Sequence, residues 1–203
     1  MTVIDWSVPP DAKPDWLMGA GATRGERTLV WLGTLAGVAV VGWQGLSGAT
    51  GEWAWWQHLL AAVVAADLAG GAVSNAASST KRQYFGPAAD SSGLLTRVLR
   101  SPVGFAALHV YPFLVVALFP GGGWGWAVGV YVAMLASVAV VDRLVPGYLQ
   151  RPTAMLLFVV IVFVAPATAS SPAGWDWFVV VYTAKLLLAH AVREEPYRPA
   201  PGT

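Results

Sequence analysis

A chain of 203 residues that is 56% hydrophobic and only 11% charged is not an ordinary soluble domain, in which about a quarter of residues carry charge. The absence of cysteine excludes disulfides, thiolate catalysis and cysteine-ligated metals. A net charge of +1 gives no sign of a nucleic-acid partner, and the repeated apolar runs make this an all-α integral membrane protein whose immediate partners are lipids.

Taken in order, residues 1–27 form a polar, proline-containing tail without the apolar core of a cleaved signal peptide. The first span covers about 28–46 and contains Gly33-x-x-x-Gly37. That spacing lets helix backbones approach closely, and suits packing within one subunit more than a homo-oligomer seam. The second span covers about 55–78. In the connection that follows, residues 79–101, the side chains of Leu94, Leu95, Val98 and Leu99 share one face of a short interfacial helix. The third span, about 102–119, holds Pro112, which removes a backbone donor and predicts a kink. A Pro-Gly-Gly-Gly turn at 120–123 leads to spans at about 124–145, 152–167 and 175–192. The predicted architecture is a six-helix transmembrane domain over 28–192, with a polar C-terminal tail at 193–203.

Eleven of the twelve lysines and arginines fall on the side shared by the two termini, and the twelfth, Lys185, lies inside the sixth span. The positive-inside rule then places both termini in the cytoplasm and the chain in the inner (cell) membrane as a multi-pass protein. Trp43, Trp53, Trp55, Trp56, Trp124, Trp126, Trp175 and Trp177 cluster at the opposite ends of the spans, the pattern of an aromatic belt of anchors.

The polar residues inside the spans carry the functional expectation. A charge at mid-bilayer costs about 2.5–3.5 kcal/mol on insertion scales. Helical rise puts Asp67 roughly 18 Å and Lys185 roughly 15 Å from the outer edge, with His109 roughly 10 Å from the inner one. The first two are expected to pair, with His109 beside them. Asp67, Gly70, Gly71, Ser74 and Asn75 share one helical face that runs from mid-membrane to Lys81 and Arg82. Those two cations are placed to contact an anion or lipid headgroup, or to act as snorkelling anchors. The three histidines, on three helices, share no i, i+3 or i+4 spacing, so no metal site is expected, and no cofactor is specified. The motifs of nucleotide-binding, serine-hydrolase and zinc-protease sites are missing.

Three functions fit this pattern. The first is transport of a proton or small solute through the Asp67–Lys185–His109 cluster, with Ser74 and Asn75 lining the access route. The second is an integral-membrane enzyme acting on a lipid or isoprenoid from the cytoplasmic side. There Asp67 or His109 serves as acid or base, and Asn75, Lys81 and Arg82 hold a phosphate. The third is a structural or assembly subunit in which the cluster is helix glue.

Overall fold

The computed structural model describes residues 2–9, 11–13, 15–87 and 93–199. Residues 88–92 of the connection and 200–203 of the C-terminal tail lie outside the described residues. The fold is helical, with β1 (Thr2–Ile4) and β2 (Tyr197–Pro199) forming a small antiparallel pair. The helices are α1 (Arg24–Ser47), α2 (Trp55–Ala76), α3 (Ser78–Phe85), α4 (Leu94–Arg100), α5 (Pro102–Leu108), α6 (Tyr111–Leu118), α7 (Trp124–Arg143), α8 (Gly147–Thr168) and α9 (Phe178–Thr183). The last continues directly into a π-helical segment, Ala184–Ala191.

Four of these, α1, α2, α7 and α8, are long and apolar enough to cross a membrane. A fifth joins them if α4 and the α5–α6 stretch are taken as one span bent by 101°. The expectation of six continuous spans meets two exceptions. The third is interrupted at His109–Val110, where Pro112 cannot donate to the preceding turn and Phe113 N bonds to Val110 O at 3.1 Å. The sixth is shortened to Phe178–Ala191, because a turn at Gly174, with φ of 80°, folds Trp175 back into the core.

Local chemistry explains the boundaries. Thr23 and Glu26 form a capping box at the start of α1, and Gly48 closes it in the left-handed conformation. The seam between α1 and α2 is built on Gly33 and Gly37, which sit against Ala65, Ala69 and Val73, so this motif packs helices within the chain. Little else of α1 is buried, and α8 is similarly peripheral, whereas α2, α7 and the last span form the centre.

The aromatic belt needs correction. Trp43, Trp55 and Trp124 are exposed as anchors would be, but Trp53, Trp126 and Trp175 are buried. Trp53, Phe119, Trp175 and Phe178 meet mostly edge to face, with the two indoles tilted, and fill one end of the bundle. Indole rings supply more apolar area than any other side chain, and here the core takes them.

The tails are also more ordered than their composition suggests. Besides the β1–β2 pair, residues 15–20 pack onto α2 and α3, with Met18 and Ala20 buried.

Candidate functional site

The polar face of α2 ends sooner than its periodicity predicts. Ala77 is extended, with ψ of 144°, and a new helix, α3, starts at Ser78. Asp67, Gly71, Ser74 and Asn75 therefore stay on one face, while Lys81 and Arg82 are carried away on α3.

Asp67 is the centre of the site. Its Oδ2 accepts from Lys185 Nζ at 2.6 Å and from the hydroxyl of Tyr111 at 2.9 Å. The Lys185 side chain is 4% exposed and that of Asp67 36%. Lys185 reaches the carboxylate because α2 offers Gly71 at the crossing. A Cβ there would lie 2.6 Å from Lys185 Cε. Its neighbour Gly70 faces Thr34 of α1 instead and is a packing residue.

His109 is held by the break between α5 and α6. Its Nδ1 lies 2.8 Å from Phe105 O, so Nδ1 carries the proton and Nε2 is the acceptor of the neutral ring. The carbonyl of His109, free of the helical ladder, accepts from Tyr182 OH at 2.7 Å. A broken span thus positions a histidine and leaves no buried carbonyl unpaired there.

These groups line a cavity of about 220 Å³. Its polar wall is Asp67, Ser74, Asn75, His109 and Lys185, with Gly71, and its remaining wall is Trp16, Leu17, Tyr84, Leu99 and Phe105. Asn75 is 6% exposed, and its Nδ2 has no hydrogen-bond partner among the described residues. From Asp67 toward the tryptophan-rich end, α2 carries buried Ala65, Val64 and Ala61, and the Trp53–Phe119–Trp175–Phe178 cluster packs at that end.

The contribution of the N-terminal segment is invisible to helical periodicity. Asp15 Oδ1 accepts from the backbone of Leu17 and Met18, forming a turn. Ser74 Oγ then donates to Leu17 O, Ser79 Oγ to Met18 O at 2.7 Å, and Ala20 N to Gln83 Oε1 at 2.8 Å. Gly19, with φ of 77°, lies directly on the Ser79–Thr80 backbone, where no Cβ fits. The only sequence signal was an apolar run, Trp16-Leu17-Met18, inside an otherwise polar tail.

Lys81 and Arg82 do not face the cavity. Both are buried. Lys81 Nζ donates to the carbonyls of Ala189 and Val192, capping the end of the last span, and Arg82 Nη1 donates to Tyr197 O at 3.4 Å. The expectation of an exposed anion or headgroup contact thus gives way to a structural one, since helix-end carbonyls need donors. His190 is also internal, stacked on Phe105 at 3.8 Å. His58 lies apart, 3.2 Å from Thr50 Oγ1.

Burial pushes the Lys81 ammonium down to about 8; Glu194 acts to raise it and Arg151 to lower it. Since 10.5 is the ordinary value, unfolding takes up a proton between about pH 8 and 10.5. The stability deficit is complete below pH 8 and is relieved as pH rises through this window. Stability should increase there, on the order of 3 kcal/mol at the upper limit. Lys81→Met should flatten that rise, as read from unfolding midpoints of both proteins across pH 7.5–10.5; an unchanged slope would assign the rise to other groups.

Compared with known families, curated proteins and solved structures, the chain matches none.

Proposed function

We propose that this chain is a six-span, multi-pass protein of the inner membrane with both termini in the cytoplasm, and that its cavity takes the head of a lipid-like ligand and performs proton-transfer chemistry on it. Two observations support the topology. The tails pair as β1 and β2, as an even number of crossings requires, and Lys and Arg are concentrated on their side. One observation carries the function: the cavity joins a polar wall around Asp67 and Lys185 to an apolar one whose Trp16 and Leu17 are more than half exposed, and an aromatic cluster packs at the other end of α2. That shape suits an amphiphile entering from one side better than a solute crossing to the other. His109 Nε2 and Asp67 are the acid–base candidates. Tyr111 and Lys185 hold Asp67 in place.

The test compares lipid extracts from membranes containing the wild type, Asp67→Asn or His109→Gln. One lipid class should change with the wild type and with neither variant. Identical profiles for all three proteins would reject the enzyme reading.

A second reading, transport of a proton or small solute, is favoured by a different observation. Two spans that touch the cluster are irregular there, one broken at His109 and one π-helical around Lys185. Irregular spans of this kind occur where helices move or bind. This reading expects Asp67→Asn to abolish proton or solute flux in proteoliposomes while the protein stays folded.

A further inference from the structure

The cavity's own balance of charge and hydrogen bonds narrows the ligand. We propose that the site takes an uncharged, hydroxyl-headed amphiphile, a long-chain alcohol in the broad sense, and excludes phosphate-, carboxylate- and ammonium-headed ones. This rests on the reading of the cavity as a lipid-like ligand site.

The charged groups on the wall cancel. Asp67 and Lys185 are paired at 2.6 Å, and the nearest other cations in the sequence pattern, Lys81 and Arg82, are engaged elsewhere. An ion brought to this depth would lose its hydration with no counter-charge to replace it, a penalty of several kcal/mol in proteins. An uncharged head escapes that penalty provided its hydrogen bonds are made.

The groups left over say which head can make them. Asn75 lines the cavity, and its Nδ2 is a pure donor, buried and without a partner among the described residues. Such an orphan asks for an acceptor in the ligand. On the same wall, both donors to Asp67 converge on Oδ2, which leaves Oδ1 as an acceptor, and His109 Nε2 is another. The ligand must therefore accept once and donate once from a small head. A hydroxyl does both with a single oxygen, accepting from Asn75 and donating to Asp67 or His109. A ketone or ester accepts only.

The rest of the cavity describes the tail. Trp16, Leu17 and Leu99 offer apolar surface in the lining, and Trp16 and Leu17 are more than half exposed. At about 220 Å³ the cavity is smaller than the roughly 300–1,000 Å³ of pockets that enclose a whole drug-sized ligand. It holds a head and a short length of chain.

The experiment uses the full chain in phosphatidylcholine nanodiscs and three radiolabelled probes of equal length: 1-dodecanol, dodecanoate and dodecylammonium, each corrected for partition into empty nanodiscs. Dodecanol should bind saturably at one site, with at least tenfold higher affinity than either ion. Asn75→Leu should weaken dodecanol binding at least tenfold, and Leu99→Trp, which adds bulk to the apolar lining, should do the same. Each variant is first shown to retain the wild-type unfolding midpoint within a few degrees. If Asn75→Leu fails that control, the Leu99→Trp result decides. Preferred binding of either ion overturns the uncharged-head proposal and leaves the lipid reading intact. Saturable dodecanol binding unaffected by Leu99→Trp also overturns it, since the alcohol then sits elsewhere. No saturable binding of any probe counts against both readings.

Discussion

Asp67→Leu is expected to destabilise the protein by about 3–5 kcal/mol, the usual cost of leaving a buried charge without its partner. Lys185→Leu is expected to cost less. The asymmetry follows from burial. Without Asp67, a lysine side chain only 4% exposed is left without its counter-charge; without Lys185, a carboxylate 36% exposed keeps its bond from Tyr111. The double replacement should recover most of the loss, because neither charge is then buried alone. Unfolding free energies of the four proteins in the same lipid environment give the coupling directly. Equal losses for the two single variants would overturn the asymmetry, and losses that simply add in the double would mean that the pair carries no coupling. If the pair serves the proposed lipid chemistry, the double variant should nevertheless lose it, which separates a structural contribution of the pair from a functional one.

Gly37→Val is the second large effect, at about 1–3 kcal/mol of destabilisation. A Cβ at this position would stand 2.6 Å from the carbonyl oxygen of Ala65 and 3.0 Å from its carbon. Backbone atoms inside a helix cannot rotate away, so α1 must move off α2. Gly42, on the same helix, has nothing within 4 Å of its hypothetical Cβ, and Gly42→Val should change stability by less than about 0.5 kcal/mol. Thermal or denaturant unfolding of the two variants checks the contrast. The seam matters for the site because α2 carries the carboxylate, Ser74 and Asn75 together.

The meeting of Asp67 and Lys185, 118 positions apart, follows from a one-dimensional argument. Each charge sits at a known distance from a helix end, the membrane thickness is shared, and two opposite charges at one depth stabilise one another. Histidine 109 came within reach of the same arithmetic. The four long apolar helices are equally readable, since runs of about 20 apolar residues have one stable form in lipid.

Other features depend on which partner wins a given group. Lys81 and Arg82 look like rim cations from their position after a polar face. The bend at Ala77 turns them inward, where the carbonyls ending the last span and that of Tyr197 accept their hydrogen bonds. Trp53, Trp126 and Trp175 have the spacing of surface anchors, but a core with room for them offers more burial than an interface does. The N-terminal wall of the cavity depends on Ser74, Ser79 and Gln83 bonding to the backbone of residues 17–20. Hydroxyl and amide side chains choose such partners by local geometry, and no periodicity announces the choice.

By itself, then, the sequence of this protein determined its apolar helices and the positions of Asp67, His109 and Lys185 along them, because hydrophobicity and helical rise act along the chain. Only the tertiary structure decided that Tyr111 shares Asp67 with Lys185, that the cations after α2 serve helix ends, and that Trp16 and Leu17 complete a cavity around Asn75. Those outcomes are set by competition among distant groups for the same donors, acceptors and buried volume, and that competition is resolved only when the helices pack.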